Sequence, residues 1–264
     1  MSYKLGFVGL GVMGGTILSR FMDTSTLSPE SIVVFDALSD KVAAFTARGA
    51  TKAASLEDVL SAEVVFLAVK PQNYKEILQN NQVSCRTLVS IMAGVKTETL
   101  LKLLPEGTSV CRIMPNTPAF VGKGASGVTF VKVIDEDKAL IEKILTSMGE
   151  YVEISEDKFD AVTSISGSGP AYVYMFAAAL TKAGIEGGLS PEESKALALQ
   201  TIEGSAAYAK IAEFDLDALT ERVCSKGGTT IEAVQVFREE GLEKIVSDAV
   251  KACRLKSEEL SRKL

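Results

Sequence analysis

The sequence predicts an α/β domain followed by an all-α domain, and three observations support this prediction. Up to about residue 158, short apolar stretches of strand length alternate with amphipathic stretches of helical length. From residue 159 onward, one helical pattern follows another with no strand pattern between them. A glycine-rich motif joins the first strand to the first helix, as in parallel α/β sheets. We therefore predict two domains, at residues 1–158 and 159–264.

The composition restricts the class of protein. A length of 264 residues, of which 47% are hydrophobic and 23% charged, indicates a globular chain with a sizeable core. The net charge of −6 argues against nucleic-acid binding, which needs clustered cations. The sequence has no run of 18 apolar residues, and it enters a strand pattern without a charged and apolar leader. We expect a cytoplasmic protein with no nucleic-acid or membrane partner.

Two residue types limit the chemistry. The chain has no histidine, which excludes histidine general acid–base catalysis, histidine metal ligands and histidine-containing triads. The four cysteines have no C-x-x-C spacing, so we expect reduced, mostly buried thiols and no metal site. They are Cys85, Cys111, Cys224 and Cys253. The chemistry must then depend on hydroxyls, lysine, tyrosine, carboxylates, a thiol or a cofactor.

The glycine-rich motif has the form G-x-G-x-x-G and follows a predicted strand at residues 4–8. In this motif the first glycine makes a tight turn, the second admits a pyrophosphate, and the third lets helix and strand pack closely. The motif predicts a Rossmann-like dinucleotide-binding domain, with a glycine-rich turn of another α/β protein as the alternative. The cofactor-binding residues predicted here are Gly9, Leu10, Gly11, Val12, Met13 and Gly14.

The ends of three further strands extend this predicted site. The strand at residues 32–35 ends in Asp36, where an acidic residue accepts hydrogen bonds from an adenosine ribose. Ligands of a doubly wound sheet lie beyond the carboxyl ends of its strands, so the ends of the strands at 64–69 and 87–92 should face the cofactor. Lys70 has an alternative interpretation as a solvated loop lysine. The residues predicted at these ends are Ala68, Val69, Lys70, Pro71, Met92 and Ala93.

The remaining patterns of the first domain continue the alternation. Two prolines enclose an Asn-Thr pair after the strand at 109–113, which predicts a stiff, polar turn at the same edge of the sheet. Further strands are predicted at 127–131 and 151–154, and helices at 40–48, 56–60 and 136–148.

The second domain is predicted to be helical throughout. After a Gly-rich break at residues 166–170, residues 171–180 are apolar on nearly all sides, which indicates a subunit interface. Glycines at 184–188 predict the end of that helix, and Ser190-Pro191-Glu192-Glu193 is a strong start signal for the next one, which should run to Ile211. Later helices are predicted at 215–222, 230–240 and 242–260.

A loop in the second domain resembles an anion-binding site. Residues 225–230 combine a serine, two glycines and two threonines just before a helix, so backbone N–H groups and hydroxyls can point at one anionic group. An ordinary helix N-cap with glycines in the preceding turn is the alternative interpretation.

Taken together, these motifs resemble the pyrroline-5-carboxylate reductase family along essentially the whole chain. The resemblance rests on residues 9–14, 68–71, 114–118, 166–172 and 224–233, which occur in the family's order. The last of these motifs is the most specific, because S-x-G-G-x-T before a helix is not a general feature of dehydrogenases. Two departures stand out: Lys226 replaces the usual proline, and Leu10-Gly11-Val12 replaces a triplet such as Cys-Gly-Asn.

The resemblance implies NAD(P)H-dependent reduction of the C=N bond of L-1-pyrroline-5-carboxylate to L-proline. It implies that Thr230 is catalytic, with its hydroxyl at the imine nitrogen. It also implies that the loop holds the substrate carboxylate through the Ser225 hydroxyl and the backbone N–H groups of Gly228, Thr229 and Thr230. The substrate-binding residues so implied are Val223, Ser225, Gly227, Gly228, Thr229 and Thr230. It also implies a homo-oligomer, at least a dimer, in which helical domains interlock and a partner subunit contributes to each pocket.

Two other functions remain as alternatives. The opening of the chain also resembles β-hydroxyacid dehydrogenases, for which Lys182 is the candidate catalytic lysine. That family has an asparagine one turn later, whereas this chain has Glu186, and Gly184 between them predicts a helix end. The second alternative is a non-catalytic NAD(P)-binding regulatory protein. Whether the chain is a reductase or a dehydrogenase, we expect NADH to be used at least as well as NADPH, because the Asp36 carboxylate repels a 2′-phosphate.

Overall fold

The computed structural model describes residues 3–25 and 27–264. Residues 1, 2 and 26, which belong to the predicted first domain, lie outside the described residues. The chain forms two compact units, one comprising Met1–Ser168 with Cys253–Leu264 and the other Gly169–Ala252. Residues 159–168 thus lie in the first unit by their contacts, and the predicted boundary between residues 158 and 159 stays a prediction.

The first unit is built on one sheet, which confirms its predicted α/β class. In the described residues the sheet has eight strands in the order β3-β2-β1-β4-β5-β6-β7-β8. The strands are β1 (Leu5–Val8), β2 (Ile32–Phe35), β3 (Thr51–Lys52), β4 (Val64–Leu67), β5 (Thr87–Ser90), β6 (Ser109–Met114), β7 (Gly124–Val131) and β8 (Gly149–Glu153).

The strand order places the predicted cofactor loops side by side. Strands β1 to β6 are mutually parallel, while β7 is antiparallel to β6. The chain runs outward from β1 to β3 and then returns to β4, which pairs with β1 from Leu5↔Val64 to Val8↔Leu67. The loops that follow β1 and β4 therefore lie next to each other at one edge, at the point where the strand order reverses.

Helices cover both faces of this sheet. Two apolar clusters form the core, and in one of them Phe7 and Phe66 stack at 4.7 Å between ring centroids. Burial raises the pKa of the Cys85 thiol to about 12, as expected for an unreactive core cysteine. The helices are α1 (Val12–Thr24), α2 (Ser39–Thr46), α3 (Leu56–Leu60), α4 (Tyr74–Asn80), α5 (Thr97–Leu101), α6 (Asp135–Met148) and α7 (Phe159–Val162).

The second unit is all-helical, as predicted. Helix α8 packs on α9, and Gly184 of α8 lies so close to α9 that a β-carbon there would be 2.2 Å from Ser194 Oγ. The helices are α8 (Gly169–Glu186), α9 (Pro191–Ile211), α10 (Leu216–Val223), α11 (Thr229–Glu239) and α12 (Leu242–Ser261). The last helix begins in this unit, and its residues from Cys253 onward belong to the first.

Most predicted helix bounds lie within a residue or two of the observed ones. The predicted start of α9 is confirmed, because Ser190 and Glu193 form a reciprocal capping box. The predicted end of α8 within residues 184–188 is confirmed, because the helix ends at Glu186 and Gly188 adopts the left-handed conformation beyond it. The narrower prediction that Gly184 itself ends the helix is wrong. Glycine is required at position 184 because Ser194 of α9 packs closely against it, and not because the helix ends there.

Candidate active site

The glycine loop after β1 has the steric properties that the motif predicts. Gly9 has φ +95°, and a β-carbon there would lie 2.6 Å from the Ala68 carbonyl oxygen. A β-carbon on Gly14 would lie 2.3 Å from the Gly9 carbonyl oxygen and 2.8 Å from Ala68 Cβ. Larger residues are excluded at both positions, because each would press on the backbone of this loop or on the loop after β4.

Gly11 differs from these two glycines because the space beside it is open. No atom lies within 4 Å of the position that its β-carbon would take. Gly11 is the N-cap of α1, and no side chain of the described residues caps that helix. The first backbone N–H groups of α1 therefore have no helical partner, and the neighbouring Val12 side chain is 86% exposed. This open cradle at a helix N-terminus fits a pyrophosphate.

Asp36 connects the end of β2 to the glycine loop. Its Oδ2 accepts a hydrogen bond from the Leu10 backbone N–H at 2.7 Å, and its Oδ1 accepts one from the Leu38 backbone N–H at 2.9 Å. Lys41 Nζ lies 3.7 Å from Oδ2. The carboxylate thus holds the loop at the predicted adenosine end, a role that the sequence did not reveal.

The loops after β4 and β5 lie at the same edge of the sheet. Ala68 and Val69 are half-buried beside the glycine loop, and Lys70 is exposed, as the alternative interpretation of that lysine requires. Met92 is only 2% exposed and packs in the core, whereas Ala93 is exposed. At the end of β5, a ligand can therefore contact Ala93 and the backbone, but not the Met92 side chain. The Met92 backbone N–H is held by Ser90 Oγ at 3.3 Å.

Asn116, which the sequence predicts only as part of a stiff, polar turn, holds three segments of the first unit together. It is buried, its Nδ2 donates to the Ser166 carbonyl oxygen at 3.0 Å, and its Oδ1 accepts from the Ala125 backbone N–H at 2.9 Å. This amide ties the segment after β6 to β7 and to the Gly-rich break. In the sequence, this rigid position is indicated by the flanking prolines, Pro115 and Pro118.

In the second unit, residues 225–228 form a tight turn before α11. The Gly228 backbone N–H donates to the Ser225 carbonyl oxygen at 2.9 Å, and Gly227 has φ +71°. A β-carbon on Gly228 would lie 2.2 Å from Ser225 Oγ, so only glycine lets this hydroxyl fold over the loop. One expectation needs correction: the Gly228 N–H is already used by the turn and does not point freely at an anion.

The N-terminus of α11 supplies the remaining donors of the loop. Gly228 is its N-cap, with no side-chain cap in the described chain, so the first N–H groups of the helix lack helical partners. Thr229 is exposed and Thr230 is partly buried. Val223, the last residue of α10, is 68% exposed. The Ser225 hydroxyl and the Thr229 and Thr230 N–H groups thus form a compact set of donors for a carboxylate.

The alternative catalytic residue, Lys182, lies on α8, two residues before Gly184. It is exposed, and α8 continues past it to Glu186, so the position where the dehydrogenase chemistry has an asparagine is an acidic residue at a helix end. No group of three or more His, Cys, Asp or Glu in the described residues is arranged to hold a metal ion. Within residues 3–25 and 27–264, no helix combines the length and apolar character of a membrane span.

Two protein-family models match the chain. Residues 156–260 match the model described as pyrroline-5-carboxylate reductase dimerisation, which supports a homo-oligomer. Residues 4–94 match the model described as NADP oxidoreductase coenzyme F420-dependent, which covers the glycine loop, Asp36 and the ends of β4 and β5.

Full-length relatives and solved structures agree with these matches. The pyrroline-5-carboxylate reductase of Escherichia coli K12 is 38% identical over 99% of this chain and 100% of its own. A structure of the Coxiella burnetii enzyme has a TM-score of 0.90 at 30% identity, covering 98% of this chain and 99% of that one. The Plasmodium falciparum enzyme, solved with NADP bound, has a TM-score of 0.85 at 31% identity and covers 98% of each chain. The chain therefore belongs to the pyrroline-5-carboxylate reductase family.

Proposed function

We propose that the chain is a pyrroline-5-carboxylate reductase, which transfers a hydride from NAD(P)H to the C=N bond of L-1-pyrroline-5-carboxylate and releases L-proline. The observation that carries this proposal is the presence in one chain of two donor sites. The cradle at Gly11 suits a dinucleotide, and the loop at Ser225 to Thr230 suits a small carboxylate. Full-length similarity to enzymes of this name supports it further.

The cofactor would be held by the edge of the first unit. The N-terminus of α1 and Gly11 would receive the pyrophosphate, and Asp36 would lie at the adenosine ribose. The loops ending in Pro71 and Ala93 would border the nicotinamide. When bound, the reduced nicotinamide supplies the hydride.

The substrate would be oriented by the loop before α11. The Ser225 hydroxyl and the N–H groups of Thr229 and Thr230 hold its carboxylate, helped by the positive end of the helix dipole. The Thr230 hydroxyl contacts the imine nitrogen. Addition of hydride to the imine carbon leaves the electron pair of the C=N bond on nitrogen, which keeps or takes up a proton there. A protonated imine accepts hydride readily, so positioning supplies most of the catalysis and no histidine is needed.

The proposal includes an assembly of at least two subunits in the cytoplasm, acting on a small molecule. Helix α8 exposes apolar side chains in the isolated chain, including Met175 at 73% and Tyr174 at 60%. A surface of this kind is typical of an oligomer interface. In the assembled enzyme, a partner subunit would contribute to each substrate pocket.

The test is the oxidation of NADH and of NADPH, measured separately with pyrroline-5-carboxylate. The proposal requires turnover with at least one of the two cofactors and L-proline as the product. Tight cofactor binding without imine reduction would instead favour a regulatory protein. Turnover of a β-hydroxyacid but not of the imine would favour the dehydrogenase alternative.

A further inference from the structure

Lys226 lies at the centre of the turn that opens the substrate loop. The Ser225 carbonyl oxygen accepts the Gly228 N–H at 2.9 Å across the turn, which makes Lys226 and Gly227 its two central residues. The left-handed φ of Gly227, +71°, completes the turn. Lys226 is exposed and directly precedes the glycines and the N-terminus of α11. Its flexible side chain therefore starts next to the residues that supply the carboxylate donors.

The other cations of this region are already engaged. Three cations occur between residues 222 and 238. The Arg222 guanidinium lies over the Phe214 ring, 4.2 Å from its centroid, and Arg238 forms an ion pair with Glu221 at 2.5 Å. In this fully described stretch, Lys226 makes no ion pair. The nearest acidic group on α11 is Glu232, in the first turn, and it opposes an incoming anion.

The charge of the whole chain makes an unpaired cation here consequential. At a net charge of −6 the protein repels the carboxylate of a substrate, whereas local positive charge attracts a carboxylate to its own position. We propose that Lys226 is a specificity-determining residue that favours substrates with a carboxylate by drawing this group to the loop. This inference rests on the proposed function of the same loop, and it assigns Lys226 no part in the chemical step.

The test is a charge series at one position: Lys226→Gln, Lys226→Glu and Lys226→Pro, each assayed for imine reduction at low and high ionic strength. For a single charge about 7 Å from the substrate in water, we expect Lys226→Gln to raise KM for the imine about threefold at low salt, and Lys226→Glu to raise it about ninefold. At 0.5 M salt both differences should fall below about 1.5-fold, because screening is then nearly complete. The kcat value and the KM for the cofactor should not change.

Lys226→Pro separates charge from rigidity. Proline suits the second position of such a turn and stiffens it, but it carries no charge. We expect its KM to match that of Lys226→Gln at low salt. A matched control is Lys195→Gln, which removes an exposed charge on α9 and should leave KM unchanged.

Three results would overturn the inference. The first is a Lys226→Gln enzyme with the KM of the parent at low salt. The second is an increase in KM that persists at 0.5 M salt. The third is a Lys226→Pro enzyme with the KM of the parent when Lys226→Gln has a higher KM. The second and third results would both indicate that Lys226 acts through the conformation of the loop. A parent enzyme that does not reduce the imine at all would overturn the proposed function itself, and this inference with it.

Discussion

The Asp36 carboxylate accepts a hydrogen bond from the Leu10 backbone N–H at 2.7 Å, which ties the end of β2 to the glycine loop after β1. The side chain is only 10% exposed, and Lys41 is the cation beside it, at 3.7 Å. One carboxylate thus shapes the loop and also places negative charge at the predicted adenosine end of the cofactor site. Both properties lead to predictions about the cofactor.

The first prediction concerns the choice of cofactor. We expect NADH to be used at least as well as NADPH, because Asp36 repels a 2′-phosphate. Asp36→Asn removes the charge but keeps one oxygen that can accept the Leu10 N–H. It should raise the ratio of kcat/KM for NADPH to that for NADH about tenfold, which corresponds to about 1.4 kcal/mol. A clear preference of the parent enzyme for NADPH would contradict this prediction.

The second prediction concerns Gly11, the glycine of the loop with open space beside it. Gly11→Ala adds a methyl group where no protein atom lies within 4 Å, so the free energy of unfolding should change by less than about 1 kcal/mol. Cofactor affinity should fall at least about tenfold, because the methyl group occupies the space of the pyrophosphate. Calorimetric titration with NADH and thermal unfolding of the free protein measure the two effects.

Two neighbouring glycines serve as controls for that experiment. Gly14→Ala should destabilise the free protein by about 1–3 kcal/mol, since its methyl group would lie 2.3 Å from the Gly9 carbonyl oxygen. Gly15→Ala meets only ordinary contacts, with the Leu10 carbonyl oxygen at 3.4 Å, and should stabilise the helix by up to about 1 kcal/mol. Unimpaired NADH binding by Gly11→Ala would show that the pyrophosphate does not approach there.

The third prediction tests Thr230. Replacement by valine keeps the β-branched shape at the start of α11 and removes the hydroxyl. If the hydroxyl takes part in proton transfer, kcat/KM for the imine should fall about 100-fold, whereas an orienting hydrogen bond should cost about 1 kcal/mol, or about fivefold. Cofactor affinity should not change in either case. Steady-state kinetics with the imine and titration with NADH measure both quantities.

Lys182→Met is the control for Thr230→Val. Lys182 is an exposed residue of α8, so we expect nearly normal activity after its replacement. Under the dehydrogenase alternative it is the residue that the chemistry cannot lose. A fully active Thr230→Val enzyme together with an inactive Lys182→Met enzyme would reject the reductase interpretation of this site.

The fourth prediction concerns assembly. Met175 on α8 is 73% exposed in the isolated chain, among other exposed apolar residues of the same helix. Met175→Glu should break the assembly into monomers, because a charge buried in an apolar interface lacks a partner. Imine reduction should decrease in parallel, since a partner subunit is proposed to complete the pocket. Sedimentation velocity of the parent enzyme gives the reference, and a folded, active monomer there would contradict the prediction.

The sequence by itself determined the fold class and the glycine cradle. These features follow from local rules that can be read along the chain. Only glycine fits a loop with φ +95°, as at Gly9, and a serine three residues before a glutamate caps a helix reciprocally, as at Ser190. The short helices α4 and α5 were not predicted, whereas α3 was, although it has only five residues. Helix α3 begins with a capping box at Ser55, while neither α4 nor α5 has a side-chain cap from the described residues.

The tertiary structure decided which atoms of the predicted residues are available. The Asp36 carboxylate binds an N–H group 26 residues away, the Met92 side chain is buried in the core, and the Gly228 N–H is taken by its own turn. It also decided that Gly184 remains inside α8, where Ser194 of α9 approaches too closely for any side chain. The physical reason is the same in each case. Packing determines the hydrogen bonds and steric contacts between residues that are distant in sequence. Local patterns of residue type and spacing do not predict these contacts.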